Sequence, residues 1–137
     1  VKMGTWGAGP FGNDTAADFA GDLDDLPEQD RPAAIRDALS AAVAEGEYLG
    51  VATGDTAVAA AAIVAAQCAG GPPIATAYGP KEAIPPLPAD LRSLAVQALD
   101  RVVGENSESA ALWTHVGGQD WREQIHRLRE ALSDASL

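Results

Sequence analysis

Ten consecutive residues, Ala57 to Ala66, carry no polar side chain at all: Ala-Val-Ala-Ala-Ala-Ala-Ile-Val-Ala-Ala. Read as a helix from Thr56 to Cys68, this stretch has no face to offer to water. A helix that is apolar all round is buried inside a protein or spans a membrane. Ten residues fall well short of the roughly 20 that a bilayer span requires. The run must therefore lie at the centre of the fold, with other helices wrapped around it. Alanine supplies 29 of the 137 residues. It is the best helix former and has little side chain to bury. The chain thus predicts closely packed helices over a thin core, not a large sheet. A chain of this length buries roughly two-thirds of its unfolded surface and needs neither disulfide nor metal to fold. We expect a single compact all-α domain of five to six helices over residues 3–137, with Val1 and Lys2 upstream of a candidate start at Met3.

The flanking segments supply the wrapping helices. Four glycines and Pro10 make residues 3–13 a Gly-rich loop. Asn13 or Asp14 then caps a helix to about Leu26, with Ala16, Phe19, Leu23 and Leu26 on one face. Pro27 ends it. Pro32 opens a second helix to about Leu49, lined by Ile35, Leu39, Ala42, Val43 and Gly46. Thr53-Gly54-Asp55 reads as a turn, with Asp55 capping the central helix. Residues 70–88 hold six of the nine prolines and form a long crossover, which Tyr78, Ile84 and Leu87 could pin to the core. Three helices follow. The first runs from Pro88 to about Val103, with Leu91, Leu94, Ala95, Ala98 and Val102 inward. The second is short, roughly Ser107 to His115, and presents Leu112 and Trp113. The last starts at Asp120, where Asp120 and Glu123 have capping-box spacing. Its apolar positions are Trp121, Ile125, Leu128 and Leu132.

Charge narrows the function. The formal net charge is −11, from 20 acids and 9 bases. Nucleic-acid binding relies on Lys and Arg displacing counterions, so this balance argues against nucleic acid and against anionic membrane. It permits a basic protein partner, because complementary charge speeds encounter. It equally serves plain solubility. Cys68 is the lone cysteine, so no internal disulfide exists, which fits a reducing cytoplasm. With no basic-then-apolar stretch and no spanning run in these residues, we expect neither a signal peptide nor a membrane span. Asn13-Asp14-Thr15 matches a glycosylation pattern that has no meaning without a secretory route.

The acids are unevenly placed. Residues 14–30 contain seven acids and no base. Asp14, Asp18, Asp22 and Asp25 fall within a sector of roughly 80° on the first helix, away from its apolar face. Such a row suits a solvated face, a partner-binding face, or a hard cation. Asp22 to Pro27 fails the EF-hand pattern, because Pro27 stands where glycine is required. Arg122, Arg127 and Arg129 of the last helix could also neutralise the row from within.

Other motifs carry less. Gly7-Ala8-Gly9-Pro10-Phe11-Gly12 matches G-x-G-x-x-G, but no strand has room to precede it, and Asp14 and Asp18 would repel a pyrophosphate. The glycines are better read as letting Trp6 and Phe11 fold onto the helices. His115 and His126 have no metal-ligand spacing. Cys68 matches no nucleophile signature and reads as a small core residue. The three tryptophans read as core or helix-junction residues. No cofactor, metal site or catalytic constellation is expected.

The opening Met3-Gly4-Thr5-Trp6-Gly7, with Gly9-Pro10-Phe11 and Asn13-Asp14, resembles the domain-of-unknown-function-4259 family. So do Tyr48-Leu49 before the Ala-rich helix, Asn106-Ser107-Glu108 with Leu112-Trp113, and Trp121. Gly50 stands where the family pattern favours an acid, and the 70–88 region varies in length. The resemblance implies a small, cytoplasmic, mainly helical bacterial domain and assigns no catalytic residue. From the charge asymmetry we expect a non-enzymatic interaction protein, an antidote or immunity-type binder of a basic protein. Its candidate binding residues are Trp6, Asn13, Asp14, Asp18, Asp22 and Asp25. Two alternatives stand beside it. One is an enzyme using carboxylates near the N-terminal loop on a small molecule or metal. The other is a structural homo-oligomeric subunit. The sequence does not fix the oligomeric state.

Overall fold

The computed structural model describes residues 10–68, 71, 74, 79–115 and 118–134. Trp6, Tyr78 and most of the Gly-rich loop lie outside them. Six α-helices appear: α1 (Asp14–Asp25), α2 (Arg31–Ala44), α3 (Val51–Ala66), α4 (Asp90–Val103), α5 (Glu108–His115) and α6 (Gln119–Asp134). A short 3₁₀ turn, Glu28–Asp30, joins α1 to α2. Among the described residues there is no strand; Leu49 and Ser107 form an isolated parallel bridge. The fold is all-α.

Helix α3 is the hub. It packs against each of the other five helices, and its residues from Ala57 to Ala65 are all buried. One hydrophobic cluster collects Leu23 from α1, Ile35 and Leu39 from α2, Ile63 from α3, Leu91 and Leu99 from α4, and Ile125 and Leu132 from α6. The alanine side chains of α3 let these larger neighbours approach its backbone closely. Among the described residues, no helix is long and apolar enough to cross a membrane.

Local chemistry accounts for most boundaries. Asn13 is the cap of α1, its Oδ1 accepting from the Ala16 backbone N–H at 2.8 Å. Trp121, Ile125, Leu128 and Leu132 are all buried, as the α6 periodicity requires. Ile84 and Leu87 pack against the core from the proline-rich crossover.

Three expectations are corrected. Helix α2 stops at Ala44 rather than near Leu49. Gly46 then lies in an exposed connection, and Val43 is exposed rather than inward. Helix α3 starts at Val51, so Thr53-Gly54-Asp55 is helix and not a turn. The reason is remote: the Glu108 carboxylate of α5 accepts from the Val51 backbone N–H at 2.8 Å and caps the helix a full turn early. Finally, two of the three α6 arginines expected to face α1 are engaged elsewhere. Arg129 pairs with Asp100 of α4 at 2.7 Å, and Arg122 lies over the Trp121 ring and donates to the Val103 carbonyl.

Candidate functional site

Helix α1 places Asp14, Asp18, Asp22 and Asp25 on its exposed side. Its inward side is Ala16, Ala20 and Leu23, all buried. The periodicity that buries the apolar positions therefore obliges the acids to face water. Asn13 is half-buried and occupied as the cap. Asp24, which the face did not include, does internal work: its carboxylate accepts from the backbone N–H groups of Lys81 and Glu82.

The carboxyl end of α1 is closed by Arg31. This side chain is only 6% exposed. It donates to the carbonyls of Leu23 (2.9 Å), Leu26 (2.9 Å) and Ala83 (2.6 Å), with a longer contact to Asp24 O. Carbonyls at a helix C-terminus lack partners and carry partial negative charge, so a guanidinium suits the position. The Arg31 guanidinium is thus spent on backbone carbonyls rather than on the acidic row. Arg36 pairs with Asp90, which leaves α2 with no cation directed at that row.

A second cluster joins the α2–α3 and α4–α5 connections. Leu49 N–H donates to Asn106 O, and Glu108 N–H donates to Leu49 O, each at 2.8 Å. Asn106 adopts φ 57°, the left-handed region that asparagine tolerates better than most residues. Arg101 gathers the carbonyls of Glu45, Glu47, Glu105 and Asn106. Glu108 completes the joint by capping Val51. Segments that carry the family resemblance, Tyr48-Leu49 and Asn106-Ser107-Glu108, meet here.

Asp55 sits one turn into α3, half-buried beside this joint. Burial, reinforced by the negative charge of Glu108, pushes its carboxyl up to about 6. It is the only charged residue of α3. A lone acid in an otherwise uncharged helix was the available signal, and reading it as a cap concealed it. Beside it, the hydroxyl of Ser109 is buried without a hydrogen-bond partner, pressed against Gly54.

Elsewhere, Trp113 and Trp121 stack with ring centroids 6.0 Å apart. An open groove alongside is lined by Thr114, Gly118, Gln119, Arg122, Glu123 and His126. Every one of these except Gly118 is exposed, so the groove holds no desolvated polar group to anchor a ligand. Burial raises the Cys68 thiol, partly countered by Arg92, so this cysteine lacks the thiolate character of a nucleophile. No group of three or more potential metal ligands occurs among the described residues.

No curated protein and no solved structure matches the chain. A family model, Domain of unknown function (DUF4259), matches residues 4–124. The chain belongs to the DUF4259 family.

Proposed function

We propose that this protein is a non-enzymatic interaction protein that presents the carboxylate row of α1 to a basic protein, in the manner of an antidote or immunity-type binder. One observation carries the reading: Asp14, Asp18, Asp22 and Asp25 share the exposed side of one helix, while Arg31, Arg36 and Arg129 are engaged elsewhere. A row of like charge steers an oppositely charged partner and speeds docking. The exposure of Asp14 and Asp18 supports binding over chemistry, because a catalytic carboxyl gains from an enclosed, desolvated setting. The lone cysteine and the family membership suit a bacterial cytoplasm.

The test is affinity capture from source-cell lysate with wild type and with Asp18→Arg/Asp22→Arg, followed by reconstitution with the purified captured protein. A basic protein retained by wild type, lost by the variant and released by salt is the expected result. Identical capture by both proteins, or no basic protein among those captured, overturns the reading.

A further inference from the structure

The joint between residues 49–51 and 106–108 ties the Glu108 carboxylate into one set of backbone hydrogen bonds, with Asp55 a turn away. Glu108 uses both ends in it: its N–H donates to Leu49 O and its carboxylate accepts from Val51 N–H. Asp55 lies one turn along the helix that Glu108 caps and is half-buried, and its neighbour Gly54 meets Ser109, the neighbour of Glu108. Like charges brought together in a poorly solvated place repel more than they would in water. Opening the joint would let both carboxylates hydrate.

We propose that this joint is a pH-sensitive clasp, firm when Asp55 is protonated and loosened when Asp55 and Glu108 are both charged. Glu108 is the one charge that acts on Asp55 from the described residues. Among the described residues, the charged groups of the other elements packed on α3 are exposed or engaged elsewhere. On α1, Asp14, Asp18, Asp22 and Asp25 are exposed, and Asp24 holds Lys81 and Glu82. On α2, Arg31 holds carbonyls, Arg36 pairs with Asp90 of α4, and Asp37 is exposed. On α4, Asp100 pairs with Arg129 of α6, Arg101 holds the carbonyls of the joint itself, and Arg92 acts on Cys68. On α6, Asp120, Arg122, Glu123, His126, Arg127 and Glu130 are exposed.

The open state releases Asp55 to water and to an ordinary carboxylate range. Deprotonation therefore favours opening, by linkage. The transition falls in the window between the ordinary Asp value of 3.8 and about 6.

Amide hydrogen exchange of the full chain, resolved by NMR from pH 4.5 to 7.5 and expressed as protection factors, reads the opening directly. The reporters are the amides of Leu49, Val51 and Glu108, with Leu99 of α4 as the core reference. In wild type, the protection of the three reporters should fall about tenfold across the window, and the reporters should be less protected than Leu99 at each pH. In Asp55→Asn the step should vanish. In Glu108→Gln, which keeps an acceptor oxygen for Val51, its midpoint should move to lower pH. The proposal is overturned by a flat wild-type profile, by a step that survives in Asp55→Asn, by an unmoved midpoint in Glu108→Gln, or by reporters that follow Leu99 throughout.

Discussion

Gly54 of α3 and Ser109 of α5 meet so closely that a Cβ on Gly54 would stand 2.7 Å from Ser109 Oγ and 3.6 Å from Ser109 Cβ. Glycine weakens a helix interior by roughly 1 kcal/mol relative to alanine. It is tolerated in α3 because it admits α5 to the helix surface. Gly54→Ala should therefore destabilise the protein by about 1 kcal/mol, the overpacking outweighing the propensity gain. Ser109→Ala removes a buried, unpartnered hydroxyl and should be neutral or stabilising by up to about 1 kcal/mol. In the Ser109→Ala background, where only ordinary contact remains, Gly54→Ala should become stabilising. Urea titrations of the four proteins in a double-mutant cycle check the sign reversal; additive effects would refute it.

Asp55 should make stability fall as pH rises. Its carboxyl sits near 6 in the folded protein against an ordinary 3.8, so between these values the folded state binds more proton than the unfolded state. The protonated form is favoured on folding, and the penalty is complete above about 6. Allowing for partial solvation, Asp55→Asn should gain about 1–2 kcal/mol over wild type at pH 7 and little at pH 4. Thermal melts at the two pH values measure the difference. Equal gains at both would remove the charge from the explanation.

Arg31 binds three separate pieces of chain through one guanidinium: the end of α1, the turn at Leu26 and Ala83 of the crossover. Arg31→Ala removes these bonds together, leaving Leu23 O only the Leu26 N–H, and should cost about 2–3 kcal/mol. Arg31→Lys should recover only part of that, since an ammonium cannot span the same fork. Chemical denaturation followed by circular dichroism gives both values, and a loss in Arg31→Ala below about 1 kcal/mol would contradict the assignment.

Asn13 caps α1 through Ala16. Asn13→Ala should lower stability by about 1 kcal/mol, whereas Asn13→Asp should hold it. The same denaturation experiment applies. A matching loss in both variants would mean that the side-chain acceptor is not what matters.

The central position of α3 was legible because ten apolar residues leave no solvent face, and α6 because Trp121, Ile125, Leu128 and Leu132 keep helical spacing. The start of α3 was not. Local rules make Thr53-Gly54-Asp55 a turn with an aspartate cap, but the acceptor that starts the helix comes from Glu108, 57 residues away. Val43 misled for a different reason: Ile35, Leu39 and Ala42 form the buried side of α2, and Val43 falls at its edge and stays exposed. The exposed acids of α1 followed directly from their angular placement. The approach of Glu108 to the start of α3 and the pairing of Arg129 with Asp100 needed the tertiary arrangement, since charge alone does not choose among available partners.

The alanine helix also sets which changes the molecule can absorb. Most cores are damaged by losing volume, because large side chains leave holes. Here Ala59, Ala60, Ala61 and Ala65 are wholly enclosed by helices approaching from several directions, and each has only a methyl group to give up. Trimming one removes little, while enlarging one drives a wedge between neighbours that have no common direction in which to retreat. The centre of this protein is guarded against growth rather than against loss, so new bulk can enter the fold only at its periphery.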